Sequence, residues 1–260
     1  WMIRVANDNP AVIDEGFSDT ITSIDPNYLN VDEKSKIFQL IFQTYLLKKT
    51  WIPRWTRNTL PNFCQTVDYQ KMKLIIADSK GSETDNLINL GNALDVISRM
   101  LTNGSPLIKK DRLWWKTKLV SLANIGNENG VIQRHALSAL SSYVGESNLV
   151  NQVTNLLTHK SNLVREAYLD FCSDIDPNSD IVINKMVDGL KAGEEIYSRH
   201  GLYKINNKRG TQFLLEKLVS DPKFLKQFLD KESIFNGHDR NGDEAIICNI
   251  RKYANDKDIQ

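Results

Sequence analysis

From residue 32 onward, apolar positions recur at helical spacing. Ile37, Leu40, Ile41, Tyr45 and Leu47 lie close to one helical face, with Asp32 placed to cap its start and Lys48 and Lys49 at its end. Phe38 and Phe42 fill a second face, so this helix reads as buried on more than one side. Pro53 and Pro61 then forbid its continuation. The same periodicity predicts helices over 66–78, 84–102, 110–125, 131–144, 147–158, 162–173, 178–191, 194–204, 211–219, 222–231 and 242–254. Turn residues separate them, among them Lys80-Gly81-Ser82, Asn103-Gly104-Ser105-Pro106, Gly145-Glu146-Ser147 and Asp176-Pro177-Asn178. Strand signals are nearly absent. The β-branched run Ile181-Val182-Ile183 continues into Met186, Val187 and Leu190 at helical spacing. The expected fold class is all-α. Residues 1–31 depart from the pattern, because Pro10, Gly16 and Pro26 interrupt short apolar stretches. They read as an irregular N-terminal arm with at most a short helix near Val12 to Ile24, followed by a helical domain over 32–260.

Short connections make neighbouring helices antiparallel, which leaves an irregular bundle or a stack of helical hairpins. Internal similarity favours the stack. Ile132-Gln133-Arg134-His135-Ala136-Leu137-Ser138-Ala139-Leu140 and Val164-Arg165-Glu166-Ala167-Tyr168-Leu169-Asp170-Phe171-Cys172 share a β-branched residue, a long polar residue, two variable positions and a mostly apolar stretch. Both resemble the second helix of a HEAT repeat, with its Val-Arg-x-x-Ala-x-x-Ala-Leu pattern. The first copy has Gln133 where the family prefers Arg, and the second has Tyr168 where it prefers Ala. The stretch from Glu146 to Lys160 fits the first helix of the next hairpin. The likeness is clearest over 110–190. It implies antiparallel helical hairpins stacked as a HEAT-like α-solenoid, with terminal units that depart from the pattern, and a structural role for Arg165 in bonding neighbouring turns. Small residues such as Ala136, Ser138, Ala139 and Ala167 suit close helix approach, and each hairpin needs the next to cover its apolar face.

Composition narrows the partners. The chain has 260 residues, 33 Lys and Arg against 32 Asp and Glu, and a net charge of +1. A uniformly basic nucleic-acid binder is therefore disfavoured, although local patches are not. No apolar run approaches the roughly 20 residues that span a bilayer, and no charged and apolar leader opens the sequence. The three cysteines, Cys64, Cys172 and Cys248, are far apart and read as core thiols in a reducing, cytoplasmic setting. Trp1 precedes Met2. A Trp start suggests a fragment or a processed chain, with one extra residue before a start at Met2 as the alternative.

The search for chemistry finds no catalytic constellation. Asp239-Arg240-Asn241-Gly242-Asp243 opens like a calcium loop, but Glu244 and Ile250 stand where an EF-hand needs Gly and Glu. His135, His159, His200 and His238 lack zinc spacing, and no phosphate-binding glycine loop or nucleophile elbow occurs. No metal or cofactor is expected, and the chain reads as a non-enzyme. Two basic and aromatic clusters stand out: Lys48, Lys49, Trp51, Arg54, Trp55 and Arg57, and Lys109, Lys110, Arg112, Trp114, Trp115, Lys116 and Lys118. Lys and Arg neutralise phosphates, and Trp either stacks on bases or anchors a core. On a helix, Lys109, Arg112 and Lys116 fall on one stripe away from Trp114 and Trp115, which favours the tryptophans as core anchors. Some HEAT-like proteins bind DNA and one group excises alkylated bases, but their acidic catalytic residue finds no counterpart here. The expected function is a protein-interaction scaffold or sensor domain, part of a larger chain or assembly. The alternative is a nucleic-acid-binding helical repeat contacting phosphates through Lys48, Lys49, Arg54, Arg57, Lys109, Arg112 and Lys116.

Overall fold

In this computed structural model, residues 12–78, 87–125, 130–153, 156 and 159–176 are described, with a few positions between 212 and 222. Every regular element among them is helical, and none is a strand. The predicted helices 178–191, 194–204 and 242–254, together with Cys248 and the Asp239 turn, lie outside the described residues. The chain divides into two units, Trp1–Ser142 and Tyr143–Gln260.

The first unit holds α1 (Glu15–Thr22), α2 (Val31–Lys48), α3 (Arg54–Thr59), α4 (Thr66–Asp78), α5 (Leu87–Thr102), α6 (Pro106–Lys109), α7 (Arg112–Ala123) and α8 (Val131–Leu140). Asp14 caps α1 by accepting from the Phe17 N–H at 2.8 Å. The cap of α2 is Asn30 rather than Asp32. Its side chain accepts from the Glu33 N–H, and the Glu33 carboxylate accepts from the Asn30 N–H, both at 2.9 Å. This reciprocal pair satisfies two of the donors a helix start leaves open. Helix α2 ends where Lys49 turns left-handed, at φ 51. In α4 the buried Asp68 reaches back to the Gln65 N–H at 3.1 Å and also accepts from Ser35 and Gln39 of α2.

Helix α5 is the centre of this unit. Every residue from Leu90 to Ser98, with Met100 and Leu101, is buried, as expected for a helix enclosed on all sides. It packs most extensively against α8, and α8 in turn against α7. Gln133 at the start of α8 donates to the Ile125 carbonyl just past the end of α7, at 2.5 Å. At the other end Arg112, which opens α7, donates to the Ser142 carbonyl past the end of α8, so these two helices run antiparallel.

Helices α5 and α8 instead run parallel, in constant register. Asp95 meets His135, Ser98 donates to the Ser138 carbonyl, and Thr102 meets Ser142, each 40 residues apart in sequence. A similar spacing links α4 to α7: Tyr69 bonds Asp111 across 42 residues, and Lys118 donates to the Ala77 carbonyl across 41. It also links α1 to α3 through Asp19 and Thr56, 37 apart, and α3 to α5 through Arg57 and Asp95, 38 apart. The contact of α2 with α4 is closer in sequence, at 29 and 33 residues.

In the second unit α9 (Leu149–Gln152) is a single turn and α10 (Asn162–Ile175) is the long helix. The helix predicted over 147–158 stops at Gln152, because Val153 is extended at φ -102 and ψ 90. Val164, Phe171, Cys172 and Ile175 are fully buried on α10, whereas Ala167 is half-buried. Arg165 donates to the carbonyls of His159 and Lys160, which lie just before its own helix.

Candidate functional site

The two basic and aromatic clusters fold into different surroundings. In α7 the spacing of Trp115, Leu119 and Leu122 builds one buried stripe, and Trp115 is 0% exposed. Its indole N–H donates to the Tyr69 hydroxyl at 2.8 Å, and that hydroxyl donates to Asp111 at 2.6 Å. Lys73 completes the group, 2.8 Å from Asp111 and 4.7 Å above the Trp114 ring. Burial, with the Asp111 carboxylate beside it, pushes the Tyr69 hydroxyl well above its ordinary value and keeps it protonated. The bonds from Lys73 and Tyr69 hold the Asp111 carboxyl below its usual range. Trp115, Tyr69, Asp111 and Lys73 each have a partner inside the fold, so together they act as a structural joint between α4 and α7.

The first cluster lies where the chain leaves α2 and enters α3. Pro53 sits at the N-cap of α3, so Trp51 and Trp55 share no continuous helix. Trp51 remains 42% exposed and Trp55 57% exposed. Trp51 is nonetheless held tightly. The fully buried Asn92 of α5 donates to the Thr50 carbonyl at 2.9 Å and accepts from the Ile52 N–H at 3.0 Å, clamping the backbone on both sides of Trp51. The Trp51 ring stacks on His135, with centroids 5.1 Å apart and planes at 29°. It also presses on Gly91, where an added Cβ would stand 2.6 Å from the ring. His135 Nδ1 lies 2.7 Å from one Asp95 oxygen, and Arg57 donates to the other at 2.5 Å. Burial raises the Asp95 carboxyl, but His135 and then Arg57 outweigh it, so Asp95 is held below its ordinary range.

An Asp–His pair invites comparison with acid–base sites. Among the described residues no Ser, Thr or Cys hydrogen-bonds His135. No group of three or more His, Cys, Asp or Glu among the described residues is arranged to hold a metal. What the arrangement does is orient an exposed indole.

The seven cations singled out in the sequence are divided by the fold. Lys48 donates to the Ile13 carbonyl at 2.5 Å, Arg57 pairs with Asp95, and Arg112 donates to the Ser142 carbonyl at 2.9 Å beyond the end of α8. Lys116 is half-buried on α7, and Lys109 is exposed at the end of α6. Lys49 and Arg54 are exposed beside the tryptophans, and among the described residues neither forms an ion pair. Sequence reasoning passes over Asn92, Gly91 and Asp95 and weighs His135 only as a zinc ligand; the four come from two other helices. The signal for them was an Asn and an Asp inside a strongly apolar helical run, where each buried polar group needs a partner.

No helix among the described residues is long and apolar enough to cross a membrane. Comparison with protein-family models, with curated proteins and with solved structures finds no match.

Proposed function

We propose that the chain is a HEAT-like α-solenoid that serves as a protein-interaction scaffold. The observation that carries this reading is the parallel register of α5 and α8, maintained at 40 residues over three successive contacts. Stacked two-helix units with a period of roughly 40 to 47 residues place equivalent helices in this relation. The sequences of the two helices match at an offset of 43 residues, three more than the contact register, where Ala93-Leu94-Asp95-Val96-Ile97-Ser98 lines up with Ala136-Leu137-Ser138-Ala139-Leu140-Ser141. The four aliphatic residues of each stretch are fully buried. Gln133 and Arg165, at equivalent places in the HEAT-like pattern, both tie down the turn preceding their own helix. Stacked hairpins present broad surfaces suited to binding other chains.

A protein partner is favoured over nucleic acid because, of the seven candidate cations, the fold engages Lys48, Arg57 and Arg112 internally and half-buries Lys116. The few that remain would release few counterions and bind duplex weakly at physiological salt. The test is a salt titration of binding to duplex DNA. The scaffold reading expects no binding tighter than the non-specific range, about 10⁻⁴ to 10⁻⁶ M at physiological salt. Tighter binding with a steep salt slope, reduced by changing Lys49, Arg54 and Lys109 to Ser, would transfer the function to nucleic acid.

A further inference from the structure

Resting on the scaffold reading, we infer that Trp51, Trp55, Lys49 and Arg54 form an anchor site for an acidic, extended protein segment that carries an apolar side chain. The first argument is preorganisation. An indole that is 42% exposed contributes little core, yet a fully buried Asn clamps its backbone and a stacked imidazole and a glycine fix its ring. A rigid exposed Trp binds without losing rotamer freedom, which is why such residues dominate binding hot spots. The second argument is charge. Between Glu33 and Asp68 the sequence has six Lys and Arg and no Asp or Glu. Of the carboxylates that other helices bring near, Asp19 is engaged by the Thr56 N–H and hydroxyl and Asp95 by Arg57 and His135, while Asp14 and Glu15 lie on the Tyr45 side. Lys48 is engaged by the Ile13 carbonyl and Arg57 by Asp95, which leaves Lys49 and Arg54 exposed and, among the described residues, without an ion pair. Two exposed indoles flanked by Lys49 and Arg54 match a segment that alternates carboxylates with apolar groups. A nucleic-acid strand needs a longer track of cations than this.

The test uses the full chain and three fluorescein-labelled probes: a short peptide of alternating Glu and Leu, the matching Lys and Leu peptide, and a single-stranded oligo-dT. Fluorescence anisotropy should show binding of the Glu–Leu peptide alone. Trp51→Ala and Arg54→Glu should each weaken it by about tenfold or more, the loss typical of a hot-spot residue. Arg54 is exposed, so its variant keeps the fold, as circular dichroism will verify. Failure of the Glu–Leu peptide to bind overturns the inference. So does binding that either variant leaves unchanged, or oligo-dT binding that depends on Trp51. A failed peptide with no duplex binding removes this site and leaves the scaffold reading standing, whereas tight duplex binding removes the scaffold reading itself.

Discussion

Trp115 and Trp51 belong to sequence clusters of the same make-up, tryptophan pairs among Lys and Arg, yet one is core and the other is surface. The difference is one of phase. Trp115 lies four residues before Leu119 and seven before Leu122 on a continuous helix, so the apolar stripe carries it inward. Trp51 precedes Pro53, outside any helix, and its position is set by Asn92, Gly91 and His135 from elsewhere in the chain. A cluster of aromatic and basic residues therefore has no fixed meaning until its backbone is known. The largest expected consequence is in stability. Trp115→Ala should cost about 4 kcal/mol, as for a fully buried large aromatic, while Trp51→Ala should cost about 1 to 2 kcal/mol, mostly lost ring contact. Urea unfolding of both variants checks the contrast, and equal losses would break it.

The polar supports of the two tryptophans extend the comparison. Asp95 holds two partners on the Trp51 side, and Asp95→Asn should cost about 3 kcal/mol near neutral pH by weakening both contacts. The carboxyl is held below its ordinary value in the fold. Its contribution is therefore complete above the unfolded value of about 4 and fades as pH falls through the lower folded value. The gap between the parent chain and Asp95→Asn should accordingly narrow as the pH drops below about 4. A gap of constant size down to that range would show that charge has no part in it.

Much of the fold was legible because long amphipathic helices announce themselves. The helix predicted over 66–78 is α4 residue for residue, and the α7 stripe with Trp115 inside follows from spacing alone. Helix ends were less legible. The segment predicted to be helical to residue 144 ends at Leu140, where Ser141 and the turn up to the left-handed Gly145 take over. The register between α5 and α8 was hidden for a different reason. The HEAT-like pattern had been matched between Gln133 and Arg165, while the parallel contacts fall between α5 and α8, where the shared residues are mostly small and aliphatic. The Trp51 surroundings were least legible, since Asn92 is 42 residues from Thr50 and His135 is further still. Periodicity carries no information about which polar residue of a buried helix will meet which distant turn.

On the Trp115 side, Tyr69→Phe isolates the hydroxyl. It leaves the fully buried indole N–H of Trp115 without its acceptor, while Asp111 keeps Lys73. The expected cost is about 2 kcal/mol, the range for an orphaned buried donor. A neutral result in urea unfolding would mean that the joint between α4 and α7 is held by ring packing alone.

The smallest effect on stability should come from Gly91→Ala, and it separates the two tryptophans most cleanly. Gly91 lies inside α5 without a left-handed backbone, so alanine improves helix propensity by about 1 kcal/mol. Its Cβ would also stand 2.6 and 2.7 Å from two carbons of the Trp51 ring and 3.2 Å from a carbon of His135. Contacts that short cannot persist, and the half-exposed indole is the group free to move outward. The gain and the lost stacking should roughly cancel, leaving stability within about 1 kcal/mol of the parent. The indole N–H resonance of Trp51 should shift strongly while that of Trp115 stays in place. Binding of the Glu–Leu peptide should weaken as well, although the fold and every charge are retained. An unmoved Trp51 resonance would show that the ring has slack against α5, and the rigidity on which the anchor depends would be lost.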